Sequence, residues 1–285
     1  MKISTVTSIL VNFTLMDAIN AVIKTGFDGV DIWCGRPHLY RHDFSGETIS
    51  SLGDTIKKSG LKIVSVMPAF YRYPYSLSSS IEAVCRDSIG YMKDCIDNAI
   101  LIGADNVLVV PMSRLLNQTP EEARRLFVRN LAEVCEYAEL KHIRLDVEVL
   151  NPLSCNFIMN TKDAIAILHE LGSDNLGLVL DTGEMNLSGE SFDSAFENAG
   201  NKIRNIHIND NDGVNDANLI PGEGSFNFHA LGDTLKKYNY NGYLSLELGY
   251  HYSSEPVTVL SKAITATRNI FSPNKLDAGH SRAQQ

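Results

Sequence analysis

The chain has 285 residues, an apolar fraction of 44%, a charged fraction of 21% and a formal net charge of -9. The length is close to the roughly 250 residues of one α/β barrel, and the acidic balance argues against a nucleic-acid partner, which would want a basic face. No apolar run approaches the ~18 residues of a membrane span, the start "MKISTVTSIL" lacks a signal peptide's apolar h-region, and five cysteines without CxxC spacing fit reduced thiols, so a cytoplasmic protein outside the membrane is expected.

Strand-like and helix-like segments alternate along the chain. "KISTVTS" from Lys2 alternates as a strand, and "LMDAINAVIKTG" then runs with helical period to Gly26, a residue suited to a left-handed cap. "GVDIW" ends at Trp33, "LKIVSVM" at Met67 and "NVLVV" at Val110. A helix follows in "TPEEARRLFVRNLAEVCEYAELK", with Thr119 as N-cap, Pro120 at the first helical position and Glu121 and Glu122 in the first turn. "IRLDVEV" ends at Val149, "TKDAIAILHELG" is a helix from Thr161 to a Gly172 stop, and "LGLVLD" ends at Asp181. "IRNIHI" ends at Ile208 and "YLSLEL" at Leu248.

Such short β-branched or leucine-rich runs suit a parallel sheet covered on both faces. Eight strand–helix pairs without a break in composition predict an α/β fold, a single (β/α)8 TIM barrel over residues 1–271. Residues 272–285, "PNKLDAGHSRAQQ" after Ser272, lose all periodicity and are expected to form a disordered tail. A doubly wound open sheet is the runner-up, but no GxGxxG follows the first strand.

In a barrel of this kind, chemistry sits at the C-terminal ends of the strands. Four successive strands end there in an acid or an imidazole: Glu148 on the fifth, Asp181 on the sixth, His207 on the seventh and Glu247 on the eighth. This mixed oxygen–nitrogen set suits one hard divalent metal ion (Mn2+, Co2+ or Mg2+) better than a thiolate-seeking one. Buried together without a cation, the three carboxylates would repel one another. Each residue has an ordinary alternative, Asp181 as a helix cap and His207 as a hydrogen-bonded core residue. Glutamates set among apolar neighbours in "LDVEVLNP" and "YLSLELG" are harder to place without a partner. Agreement over four consecutive strands selects the metal reading.

These residues, together with "WCGRPH" (Trp33 to His38), "YPY" (Tyr73 to Tyr75), "HINDNDG" (His207 to Gly213) and "IPGEG" (Ile220 to Gly224), carry a resemblance to a known family. Over nearly its whole length the chain resembles the xylose-isomerase-like sugar isomerase/epimerase superfamily, most nearly its fructoselysine and ketose 3-epimerase branch. The resemblance implies that Glu148, Asp181, His207 and Glu247 hold one divalent cation and that Glu148 and Glu247 double as the acid/base pair. It implies epimerisation of a ketose or fructosamine-type sugar at C3 through a cis-enediolate, one glutamate removing the proton and the other returning it to the opposite face. A small-molecule sugar is then the partner, and homo-oligomers are common among similar proteins.

The chain departs from the ketose 3-epimerase pattern at three places. Ser154 stands for a glutamate, Glu184 for a histidine and Gly213 for an arginine, so specificity for free hexuloses does not carry over. Asn218 stands where the fructoselysine-like branch often has histidine.

Further candidates for substrate binding are Trp33 as an apolar wall, Arg36 and His38 just past the second strand, and Tyr73 and Tyr75 as a lid excluding water. Asn151, as an orienting residue, Glu184 and Asp212 complete the set. Ordinary alternatives are an ion pair for Arg36, loop packing around Pro74 for the tyrosines, and turn closure for Asp210 and Asp212.

The four donors alone also admit an aldose–ketose isomerase, a hydroxypyruvate or 2-oxo-tetronate isomerase, or an inosose-type dehydratase, since all begin with the same proton abstraction. A metal-dependent apurinic endonuclease needs histidines at the third, fourth and sixth strand ends, which here read "VMPAF", "VVPMS" and "DTGEM". A non-catalytic sugar-binding barrel is disfavoured by the retention of all four donors.

Overall fold

The structure is a computed structural model that describes residues 1–271; the tail expected at 272–285 lies outside the described residues. Eight parallel strands close in sequence order: β1 (Lys2–Val6), β2 (Gly29–Trp33), β3 (Lys62–Met67), β4 (Asn106–Val109), β5 (Arg144–Glu148), β6 (Leu176–Asp181), β7 (Ile203–Ile208) and β8 (Tyr243–Leu246). β1 is hydrogen-bonded to both β2 and β8, which leaves no edge strand. Around them lie α1 (Leu15–Thr25), α2 (Gly46–Lys58), α3 (Glu82–Ile102), α4 (Pro120–Leu140), α5 (Thr161–Leu171), α6 (Thr182–Ser188), α7 (Phe192–Ala199), α8 (Phe228–Lys237) and α9 (Pro256–Phe271).

Helix ends follow the chemistry of their residues. The Thr119 hydroxyl accepts from Glu122 N at the start of α4, and Gly26, at φ +85°, closes α1 in the left-handed conformation. α1 and α9 press Ala18, Ile19, Val22, Leu260, Ala263 and Ile264 onto the barrel, all of them buried.

Several strands stop earlier than their apolar runs. β1 gives way at Thr7 to a short 3-10 turn, β4 ends at Val109, β5 at Glu148, and β8 ends at Leu246 rather than Leu248. Glu247 N still donates to Ile208 O at 3.2 Å, so the glutamate is held against β7 just past the ladder.

The floor of the barrel is an ion pair between the half-buried Arg204 and the buried Asp146. Arg204 Nη1 lies 3.1 Å from Asp146 Oδ1, and the same guanidinium donates to the carbonyls of Asp174, Asn175 and Leu176. It fits because β6 places Gly177 there: a Cβ would stand 2.4 Å from Asp146 Oδ1 and 2.6 Å from Arg204 Nε. Burial raises the Asp146 carboxyl to about 6 although Arg204 and Arg144 pull it down.

At the other end, Asp210 organises the loop between β7 and α8. Its carboxylate accepts from Gly222 N and Gly224 N at 2.9 Å and from Phe226 N at 3.0 Å, which explains the "IPGEG" motif. This clasp holds Asp216 and Asn218 over the barrel mouth, where both line a cavity.

Candidate metal centre

Parallel strands of similar length deliver their last inward side chains to one end of the barrel. Glu148, Asp181, His207 and Glu247 meet there, each offering one donor atom, and these atoms lie within 4.8 Å of one another. His207 Nδ1 is 2.9 Å from Glu148 Oε1 and 2.9 Å from Glu247 Oε2. Glu148, Asp181 and His207 are buried, while the Glu247 side chain is 27% exposed.

Asp181 fulfils its ordinary alternative as well. Its Oδ1 accepts from Glu184 N at 2.9 Å as the N-cap of α6, and Oδ2 accepts from Asn209 Nδ2 at 2.8 Å. The cap fixes the carboxylate beside the cluster.

Electrostatics favour a cation. Burial raises the Glu148 and Asp181 carboxyls above their ordinary range; His207 opposes the rise, most strongly at Glu148, and the neighbouring acids add to it. Against burial, the two flanking glutamates hold the His207 imidazole well above its ordinary value. Three carboxylate oxygens and one imidazole nitrogen, converging from four strands, fit a divalent ion. The five cysteines are all free and buried, and none belongs to this donor set.

The cluster floors a cavity of about 190 Å³. Its apolar wall includes Trp33, Met67, Phe70, Leu108, Val110 and Leu150; its polar side carries Glu148, Asp181, Glu184, Asp216 and Glu247; Tyr71, Arg72 and Tyr250 stand at the rim. A more apolar cleft of about 750 Å³, between α1 and α2 around Phe13, Leu39, Phe44 and Leu52, contains none of the four donors.

Among the other predicted site residues, Trp33 and Glu184 line the cavity. Asn151 lies behind it and donates from both N and Nδ2 to Glu184 Oε2, so it orients Glu184 rather than Glu148; Ser154 Oγ donates to Glu184 Oε1 at 3.3 Å. Burial raises the Glu184 carboxyl to about 8.

The remaining candidates stand elsewhere. Arg36, 61% exposed, forms two hydrogen bonds to Asp43 and stacks on Tyr40, outside the cavity. His38 is buried with Nδ1 3.1 Å from the Thr7 hydroxyl, and burial lowers it to about 4, leaving a neutral packed ring. Tyr73 stacks on Tyr40 and accepts from Arg36 N, while Tyr75 stacks on Tyr91 with centroids 4.2 Å apart. Both tyrosines are therefore packing residues and neither lines the cavity. Asp212 is exposed and closes its own turn by accepting from Val214 N and Asn215 N.

Tyr71, Arg72, Tyr250, Asp216 and Asn218 went unselected from the sequence. Tyr71 is 60% exposed as a whole residue, while desolvation of its hydroxyl and then the charges of Glu148 and Glu184 raise it above its ordinary value. The "YPY" motif of Tyr73 to Tyr75 thus stands beside the cavity-lining Tyr71, and nothing local says which tyrosines turn inward.

Comparison with known proteins agrees with this architecture. A family described as xylose isomerase-like TIM barrel matches residues 19–270. Fructoselysine 3-epimerase of Shigella flexneri is 30% identical over 248 residues, covering 87% of this chain and 90% of that protein. D-psicose 3-epimerase of Enterocloster bolteae is 28% identical over 240 residues, covering 81% and 75%. The solved structure of an IOLI protein with a bound zinc atom superposes with a TM-score of 0.80 at 22% identity, covering 95% of this chain and 98% of that one, and supports the fold. Relatedness along nearly the whole length of such proteins makes the chain an enzyme of the sugar epimerase/isomerase type. With its closed eight-stranded parallel barrel and a match over residues 19–270, the chain belongs to the xylose isomerase-like TIM barrel family.

Proposed function

We propose that the protein epimerises a ketose or fructosamine-type sugar at C3 in a reaction dependent on a divalent metal. The observation that carries this reading is the pair of carboxylates, Glu148 from β5 and Glu247 from beyond β8, converging on His207 Nδ1 at 2.9 Å each. Glu148, Asp181, His207 and Glu247 would hold the ion, with Mn2+, Co2+ or Mg2+ suited to the oxygen-rich set. When bound, such an ion polarises the sugar's carbonyl and acidifies the neighbouring C–H.

The chain's own groups move the proton. One of the two glutamates takes it from C3, leaving a cis-enediolate of the sugar, and the other delivers it to the opposite face. Trp33, Phe70 and Leu150 wall the cavity and reduce water access to the enediolate. Glu184, backed by Asn151 and Ser154, faces the same space and suits a substrate hydroxyl or amine. Apart from the metal-holding residues, the polar side carries Glu184 and Asp216 against Arg72, the one lysine or arginine of the lining among the described residues, which favours an amine-bearing fructosamine over a phosphorylated sugar. Five free buried cysteines support a reducing, cytoplasmic setting.

Incubation of ketoses and fructosamines with Mn2+ in D2O, followed by proton NMR, tests the reading. Deuterium at C3 with inversion is expected; transfer between C1 and C2 would instead mark an isomerase. Glu148→Gln and Glu247→Gln should each lower kcat by about 10²–10⁴-fold with the fold intact. Substantial residual turnover removes that carboxylate from proton transfer.

A further inference from the structure

Beneath the strand-end cluster lies a second polar layer that the proposed chemistry does not use. Asp31 on β2 is completely buried, its Oδ2 accepting from Ser4 Oγ at 2.9 Å and its Oδ1 from Ser65 Oγ at 2.6 Å. Ser4 is hydrogen-bonded to Ser245 at 2.6 Å, and Asn205 Nδ2 donates to Ser245 at 2.9 Å. The network thus crosses β3, β2, β1, β8 and β7. Asn205 precedes His207 by two residues and Ser245 precedes Glu247 by two. The layer therefore faces the barrel interior one step of about 6.6 Å below the metal donors.

A carboxylate at this depth is costly, because barrel interiors are ordinarily filled with branched apolar side chains and hydroxyls supply no countercharge. Something above it repays the cost. His207 Nδ1 faces Glu148 and Glu247, whereas Nε2, on the other side of the ring, is buried and has no hydrogen-bond partner among the described residues. A buried ring nitrogen demands one, and a metal-binding histidine almost always gives its second N–H to a carboxylate, carbonyl or water. Burial raises the Asp31 carboxyl, and His207 is the charged neighbour that most opposes the rise, so the two groups feel each other across the layers.

We propose that Asp31 is a positioning residue for His207: through one buried water it accepts the Nε2 proton, holding the ring in the tautomer that presents Nδ1 to the cation. Its charge makes the imidazole a stronger donor to the ion. The inference rests on the metal reading given above.

The test uses Co2+ alone as probe, without sugar. Calorimetric titration of the full chain should show D31N binding Co2+ ten- to a hundredfold more weakly than the parent, the usual penalty for such a partner. In protein labelled with ¹⁵N-histidine and loaded with Zn2+, the parent should show a slowly exchanging, downfield His207 Nε2 proton that moves in D31N. Loss of packing alone would not move that resonance without also lowering the melting temperature. Should D31N not fold, Ser65→Ala, which keeps the charge but removes one of its holders, must shift the same proton. Unchanged Co2+ affinity together with an unmoved Nε2 resonance overturns the assignment of Asp31. A parent that binds no Co2+ overturns the metal reading itself.

Discussion

Asp181→Asn separates the two demands on the strand-end cluster. Asparagine caps a helix about as well as aspartate, so the hydrogen bond to Glu184 N that starts α6 should survive. The substitution removes one of three crowded carboxylates, two of which burial already pushes toward the protonated form. The metal-free variant should therefore melt no lower than the metal-free parent, and a little higher. With cation the order should reverse. An ion present at a thousand times its Kd stabilises by about 4.1 kcal/mol. At about 2.1 cal/mol/K of unfolding entropy per residue, a chain of 285 residues melts with about 0.6 kcal/mol/K, so the parent should gain about 7 °C. The variant should gain almost nothing. Differential scanning fluorimetry after chelation, with Mn2+, Co2+ or Mg2+ then added, reads both effects. A parent indifferent to all three ions, or a variant that keeps the parent's gain, would refute the reasoning.

Stability of the chelated protein should fall as pH rises from about 6.5 to about 8; below 6.5 the His38 ring, lowered to about 4 by burial, opposes the fall. Burial lifts the Glu184 carboxyl from 4.5 to about 8, and His207 is also raised, so both favour the fold below their unfolded values and lose that contribution as pH climbs through the folded ones. Asp43 and Glu133, held low by Arg36 and Lys93, act only in more acidic solution; a flat melting profile over this window contradicts the assignment. Gly177→Ala should cost about 2–3 kcal/mol in urea unfolding, because its Cβ would part Arg204 from the buried Asp146; a loss under about 0.5 kcal/mol refutes the floor's tight fit. Asp210→Ala frees four backbone N–H groups, those of Asn211, Gly222, Gly224 and Phe226, in the loop that carries Asp216 and Asn218. It should raise KM more than it lowers kcat in steady-state assays, and unchanged KM would dissociate the clasp from substrate binding.

Much of this protein can be read from its chain alone. Eight apolar runs separated by capped helical stretches specify the barrel, since a strand buried on both faces and a helix that starts at Thr119 or stops at Gly26 are decided by nearest neighbours. The convergence of Glu148, Asp181, His207 and Glu247 was legible for a related reason: parallel strands bring their last inward residues to one rim, whatever the loops do. The loops themselves are another matter. Tyr75 turns away from the cavity because Tyr91, sixteen residues later on α3, stacks against it, and Arg36 turns away because Asp43 and Tyr40 claim its guanidinium. Asp31 reads as one polar residue in a short strand until Ser4, Ser65 and Ser245 arrive from three other strands. Periodicity and capping are local energies written into adjacent residues, whereas the direction of a loop side chain is chosen by partners that only the closed barrel brings within reach.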